Sequence, residues 1–357
     1  MAVVKKLSVQ NIRSHDKFSI KLSPSITVIT GTNGSGKTSL IEALYLSLQG
    51  TSFKGSDNDM LRSESPWWRI DVEFNSYLKR TVTYNPDLTS GKKKFSIDDK
   101  VAYRLPVKYK HPVVLFEPED LRLLHGSPAR RRQFIDRFIT QLDPLYSSAL
   151  RKYERALKQR NNLLKKLNTV SDEMFVWDIA LSEYGSYIIE KRIAYIEQIN
   201  SKLNEVYNSV AKSNDNVSVH YSHTYIGDIK QKLLNDLHSH SKRDILLGFT
   251  STGPHRHDVI FRFNDSAALD VASRGEVRTI VLAIKYIEME IIEQITNIKP
   301  IILLDDVFSE LDELRSKAIY KHLQSYQTVI TTTDADMVKN DLDRKASLII
   351  LTTDISH

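Results

Sequence analysis

The chain contains no cysteine, which excludes disulfides, thiolate catalysis and cysteine-based zinc sites. It also lacks any run near the ~18 consecutive apolar residues that a membrane span requires, and residues 1–6 lead into a polar segment instead of a signal-peptide core. A soluble, cytoplasmic protein with no membrane partner is expected. The eleven histidines show no H-E-x-x-H or comparable metal spacing, so His255-Arg256-His257-Asp258 reads as structural or interfacial. Helix-turn-helix and zinc-finger patterns are missing, as are internal repeats and low-complexity tracts. Charge of one sign does not dominate: 50 Lys+Arg against 44 Asp+Glu leave +6 and a pI near 9.1, a balance that favours polyanionic partners without proving one. The 357 residues, 41% hydrophobic and 26% charged, are those of an ordinary globular protein, and ~150 residues per domain suggests two or three units.

What is present divides the chain. Residues 3–9 and 25–30 are short β-branched runs bounded by turn residues and predict strands. Four more strand-like stretches, 69–74, 79–84, 93–97 and 101–105, are broken by Asn85-Pro86-Asp87, Ser90-Gly91 and Asp98-Asp99, the pattern of an antiparallel meander. From the N-cap and first-turn pair Ser127-Pro128 to about residue 212 the only breakers are Pro144 and Gly185, which predicts a helical insertion. Between Trp177 and Val210 apolar residues recur at spacings of three, four or seven, so a helix of ~60 Å could pack in a bundle or form a coiled-coil seam. Strands return from 217, with 259–263 and 267–272 flanking Asn264-Asp265. A helix over 273–296, an apolar strand 301–304, a helix from about 310 to 324 and a strand 328–332 complete the pattern. The expected division is 1–120 as the first part of an α/β head, 121–215 as a helical arm, and 216–357 as the rest of the head.

The strongest local signal is Gly31-Thr32-Asn33-Gly34-Ser35-Gly36-Lys37-Thr38, a G-x-x-x-x-G-K-[ST] run after a predicted strand and before the helical run that opens at Ser39. Glycines let backbone N–H groups curl around phosphate oxygens, Lys37 reaches the β and γ phosphates, and the Thr38 hydroxyl can ligate Mg²⁺. A chance glycine-rich turn is the competing reading. A P-loop demands a carboxylate-bearing strand, and Ile301-Ile302-Leu303-Leu304-Asp305-Asp306 supplies one. Asp305 is the metal-side carboxylate, and Asp306 sits where a base or water-positioning group would lie. The pair could instead start a turn or cap the next helix.

Lys37 and Asp305 lie 268 positions apart, more than a compact P-loop GTPase or kinase needs. A P-loop near one end and an acidic strand near the other, around a helical insertion, resembles the ABC-type ATPase heads of SMC-like chromosome and repair proteins. The arm of ~85 residues, short for that group, points to a different branch. With Asn11-Ile12-Arg13-Ser14, Phe116-Glu117-Pro118-Glu119-Asp120-Leu121, Gly126-Ser127-Pro128, Arg130-Arg131-Arg132, Gly253-Pro254-His255-Arg256, Ser273-Arg274-Gly275-Glu276 and Asp305 through Asp312, the sequence resembles the RecF family of bacterial recombinational repair ATPases over essentially its whole length.

The resemblance implies a mixed α/β, ABC-type P-loop head with an antiparallel β lobe and an inserted arm, using ATP and Mg²⁺ in a weak, DNA-stimulated ATPase that serves as a dimerisation switch. It assigns nucleotide contacts to Arg13, to Gly31 through Ser39, and to Ser273 and Gly275 of a signature motif that meets the nucleotide of a second copy. Lys37 and Asp306 become the catalytic pair, Thr38 and Asp305 the metal ligands, and Ser309-Glu310-Leu311-Asp312 a dimer-contacting loop. Ser273 and Glu276 also have capping-box spacing, and both roles can hold. Three departures touch hydrolysis: Glu276 replaces the expected signature glutamine, Asp306 the common Glu, and Thr331-Thr332-Thr333-Asp334 the switch-histidine region. Lys92-Lys93-Lys94, Lys108 with Lys110, and Arg130-Arg131-Arg132 are basic candidates for DNA-backbone contacts without sequence readout, although charge runs are usually solvated faces. The implied partners are duplex and gapped DNA, a second copy of the chain, RecR, and indirectly RecO and RecA, at the nucleoid. Rival readings are an SMC-like or RecF-like ATPase with another client, such as defence or chromosome maintenance, a non-hydrolysing nucleotide-gated scaffold, and a metabolite kinase.

Overall fold

A computed structural model describes residues 3–76, 78–98, 100–120, 123–166, 172–223, 225–333 and 347–351. Packing divides the chain into two units, 1–121 with 288–357, and 122–287.

In the first unit, β1 (Val4–Ile12), β2 (His15–Lys21), β4 (Trp68–Phe74), β5 (Lys79–Tyr84), β6 (Lys93–Ile97) and β7 (Lys100–Ala102) form an antiparallel sheet in the order β2-β1-β4-β5-β6-β7. In β4, Trp68, Ile70, Val72 and Phe74 are buried while the residues between them are not, the period-2 pattern of a sheet with one packed face. A second, parallel sheet contains β3 (Ile26–Gly31), β8 (Val113–Phe116), β12 (Ile301–Asp305), β13 (Thr328–Thr332) and β14 (Ser347–Leu351), in the order β14-β3-β13-β12-β8. Strands β8, β12 and β13 are buried along their whole length, as a sheet covered on both faces requires.

Helix α1 (Lys37–Gln49) packs against strands of both sheets and is buried almost all round, so its apolar residues form no single stripe. Glycines in the left-handed conformation bound it: Gly36 at φ 89 precedes it, and Gly50, also at φ 89, closes it by donating its N–H to Leu46 O at 2.7 Å.

The second unit begins with α2 (Pro128–Leu142) and α3 (Pro144–Leu164). Each has a proline in its first turn and a side-chain cap, from Ser127 and Asp143. Helix α4 (Asp172–Ala211) follows with 40 residues and packs on α2, α3, α5 (Ile229–Ser239) and β9 (Val217–Ser222). The bundle alternative therefore holds. The remaining elements are α6 (Ser241–Leu247), β10 (Asp258–Phe263), β11 (Ser266–Ala267), α7 (Ala268–Val271) and α8 (Arg274–Thr296), within which the division between the units falls; α9 (Glu313–Leu323) belongs to the first unit.

Two expectations are corrected here. The strands after the arm do not rejoin the head's sheets; they form their own three-stranded sheet, β11-β10-β9. The reason is a clasp from α4. Asn200 Nδ2 donates to Val219 O at 2.7 Å, Asn200 Oδ1 accepts from Val219 N at 2.9 Å, and Asn204 Oδ1 accepts from Val217 N at 2.6 Å, which satisfies the free edge of β9. Packing accordingly groups 216–287 with the helices instead of the head. The expected strand 267–272 is a two-residue strand followed by the single turn α7. Leu121 and Asp334 lie outside the described residues.

Candidate nucleotide-binding site

The parallel sheet explains why residues nearly three hundred positions apart meet. Because β3, β13 and β12 run the same way side by side, their C-terminal ends share one edge, where open α/β sheets bind ligands. The P-loop leaves β3, Asp305 ends β12, and Thr331 and Thr332 end β13 between them.

The glycine positions show what the loop needs. At Gly36 an added Cβ would lie 2.2 Å from His15 Nε2 and 2.4 Å from Ser14 Oγ, so the hairpin turn between β1 and β2 sits directly on the loop. At Gly34, with φ +85, an added Cβ would meet nothing within 4 Å; the loop there faces open space. Lys37 Nζ donates to Gly31 O at 2.7 Å and Thr32 O at 2.9 Å. Burial pulls its ammonium below the ordinary value, while the Asp306 and Asp305 carboxylates pull it back. Thr38 Oγ1 donates to Asp305 Oδ1 at 2.9 Å, and Thr331 Oγ1 donates to the same oxygen at 2.8 Å.

Asp306 turns out of the strand at φ 51. Its N–H donates to Thr331 O and Thr331 Oγ1, both at 3.1 Å, and its carbonyl accepts from Ser309 Oγ at 2.7 Å. Hard oxygen donors on Thr38 and Asp305 suit Mg²⁺, which usually takes only one or two protein ligands beside phosphate. Consistent with that division, the described residues contain no group of three or more His, Asp or Glu able to hold a metal alone.

Sequence reasoning missed one member of this site, His15, and named Thr331 only within the switch-histidine region. Thr331 orients Asp305 from the strand between the two motifs. His15 Nε2 lies 3.1 Å from Gly36 O and its ring stacks on Phe18 at 5.2 Å; burial lowers its pKa, opposed by the bond to Gly36. His15 belongs to no local motif.

The other expected site residues have the following partners. Arg13, at φ 45, pairs with Glu42 of α1 at 2.6 Å and donates to Asp59 O at 3.1 Å. Ser273 and Gly275 lie in the second unit, where Ser273 N donates to Glu276 Oε2 at 2.6 Å and Glu276 N to Ser273 Oγ at 3.3 Å, a reciprocal capping box. Asp312 caps α9 by accepting from Arg315 N at 2.9 Å. Of the basic runs, Lys93 pairs with Asp57 at 2.7 Å and Lys92 is exposed. Arg131 is held by Asp258 through two bonds of 2.8 and 2.7 Å, and Arg132 donates to His257 O at 2.7 Å. Both guanidinia are thus tied into the fold of the second unit, whereas Arg130 flanks the Ser127 cap.

A P-loop on β3, an acid on the neighbouring strands' shared edge, an antiparallel lobe over α1 and a separate helical unit define an ABC-type P-loop ATPase head. An AAA-domain family model matches residues 6–218. The DNA replication and repair protein RecF of Clostridium perfringens is 34% identical over 97% of both chains, and that of Lachnoclostridium phytofermentans 32% over 95% of both. The recombination mediator protein RecF of the RecFOR pathway, solved as RecF-ATPrS, matches with a TM-score of 0.85 at 29% identity over 94% of each chain. A Smc head from Pyrococcus furiosus, at TM-score 0.54 and 16% identity over 96% and 92%, shares the fold. The chain belongs to the RecF family.

Proposed function

We propose that this chain binds ATP with Mg²⁺ at the P-loop and acts as an ATP-dependent homodimer on DNA in recombinational repair and replication-fork maintenance. The names of the solved relatives, RecF with ATP in a RecFOR pathway, support RecR and RecO as its partners; the outcome we propose is RecA loading near single-strand gaps. The observation that carries this reading is the convergence of Lys37, Thr38 and Asp305 at one sheet edge.

Each residue has work to do there. Loop N–H groups and the Lys37 ammonium would hold the phosphates, the ammonium exchanging its carbonyl partners for phosphate oxygens. Thr38 and Asp305 would hold Mg²⁺, which when bound neutralises charge on the transferring phosphoryl group. Asp306, held by Thr331, would position the attacking water. Ser273 and Gly275 of one copy would face the nucleotide of the other, so that phosphate contacts to both copies favour the dimer until hydrolysis removes them. That assignment supports a weak, DNA-stimulated ATPase used as a switch, at the nucleoid.

Sedimentation of the chain with and without ATP and gapped DNA tests nucleotide, dimer and DNA together. The expected result is a dimer only with ATP, and its loss in Lys37→Ala. A dimer of undiminished stability in Lys37→Ala would refute the reading.

A further inference from the structure

The antiparallel sheet buries one face against α1 and turns the other outward. Its register aligns Lys17, Gln10, Arg69, Thr83 and Lys94, one each from β2, β1, β4, β5 and β6, in a single row across the strands. Four strand spacings make that row about 19 Å long. The residues alternate with core residues such as Val9, Ile70, Val82 and Phe95, so they lie on the outward face. A second row on the same face carries Lys21, Lys6, Glu73 and Lys79. With Asp71, the two rows hold six cations, Lys6, Lys17, Lys21, Arg69, Lys79 and Lys94, against two acids. Asp71 is already held by Arg69 at 2.7 Å and Thr81 at 2.5 Å. Lys17 and Lys94 are without an ion-pair partner among the described residues.

The first row ends at an aromatic ring. Ala102 pairs with Phe95, so Tyr103 follows on beside Lys94. Tyr103 is 63% exposed and Val101 60%. The ring rests on the turn before β6: a Cβ at Gly91, where φ is +63, would lie 2.5 Å from Tyr103 Cε1. A ring fixed along one side and open on the other can receive a stacking partner with little further loss of freedom. Lys92, next to Gly91 in the chain, is exposed as well.

A solvated antiparallel face is polar by default, and lysines guard sheet edges against strand addition. Those rules account for Lys100. They run against exposed Tyr103 and Val101 on the same edge, because apolar side chains there invite association.

We propose that the outward face from Lys17 to Tyr103 binds single-stranded nucleic acid, the cations meeting successive phosphates and Tyr103 stacking on a base. Positive grooves that track the backbone, combined with aromatic platforms, are how single strands are held without sequence readout. A duplex would use the cations equally well but offers no unstacked base to the ring. The inference takes nucleic acid as partner class from the proposed function and adds the place and the strandedness.

The test uses the full chain without nucleotide, which separates it from the fate of Lys37→Ala. Fluorescence anisotropy would follow a labelled 15-nucleotide oligo-dT and a hairpin duplex at stepped salt. Lys17→Ala/Lys94→Ala should flatten the slope of log affinity against log salt for the single strand by about 1.4, two phosphates at about 0.7 each. Tyr103→Ala should weaken oligo-dT binding about tenfold, leave the duplex within about twofold, and be rescued by Tyr103→Phe. Unchanged ATP affinity in each variant shows that the fold is intact. No measurable oligo-dT binding, an unaltered slope, or equal losses on both substrates with Tyr103→Ala would overturn the proposal and leave this face to a protein partner or to solvent.

Discussion

In the first unit the charged groups of the candidate site, Lys37 and Asp305, are buried but lean on partners that can be exchanged. The Lys37 ammonium leans on two carbonyls, and Asp305 on two hydroxyls, partners that a phosphate or a cation can replace. In the second unit charge is walled in. Arg160, wholly buried, is bound by Asp178 and Asp244 at 2.6 Å each, by Thr250 Oγ1 at 3.0 Å and by Leu237 O at 3.1 Å. Arg192 is gripped likewise by Asp136, the Tyr221 hydroxyl and Pro254 O. The contrast separates two uses of burial: polar groups with exchangeable partners are equipped for chemistry, whereas polar groups fully satisfied by one another fix helices and strands in register.

The largest test of that contrast is Arg160→Ala. It leaves Asp178 and Asp244 buried without their cation, so the second unit should lose about 3–5 kcal/mol. Hydrogen exchange should show faster exchange over 122–287 and little change around α1, with ATP affinity retained while the protein stays folded. Loss of ATP binding in folded Arg160→Ala would break the comparison.

Acid should discriminate next. Burial pushes His255 down to about 4 and His257 to about 3, well below the ordinary 6.5. Both are held neutral in the fold, His255 by the Tyr153 hydroxyl and Thr250 O, His257 beside the Tyr221 hydroxyl. Between pH 6.5 and 4 the unfolded chain binds protons that the folded chain does not, so stability falls as pH falls. From pH 7 to pH 5 each histidine should cost up to about 2 kcal/mol. A melting temperature flat over that range would show that these rings are not held as described.

The same contrast governs how much could be read from sequence. The P-loop was legible because all its chemistry lies in Gly31 through Thr38, and Asp305 because an acid ending an apolar strand is a local pattern. Long helices and the meander declared themselves by periodicity. The contacts of Arg131 and Arg132 were not legible, since successive residues on a helix point about 100° apart and their partners Asp258 and His257 come more than 120 positions later. Nothing local distinguishes β9 and β10 from strands of the head. Their allegiance depends on Asn200 and Asn204, two unremarkable polar positions on α4.

Thr331, which the sequence offers only as part of the switch-histidine region, owes its contacts with both acids to strand order, and it yields the smallest effect. Its hydroxyl donates to Asp305 and accepts from the Asp306 N–H, so one side chain sets the direction of both acids. Thr331→Val keeps the shape of the β-branched side chain and removes that hydroxyl; a bond to a charged group is typically worth about 1.5–3 kcal/mol. Because Asp305 retains Thr38 as a donor and lies at a strand end where water can enter, the lower end applies. Mg²⁺-dependent ATP affinity should fall about tenfold, equivalent to about 1.4 kcal/mol, with Thr331→Ser restoring it. Metal-free nucleotide binding, which relies on Lys37 and the loop amides, should move little. If Thr331→Val instead weakened both forms equally, the hydroxyl would be supporting the sheet edge as a whole, and the first unit would resemble the second more closely than its exchangeable partners suggest.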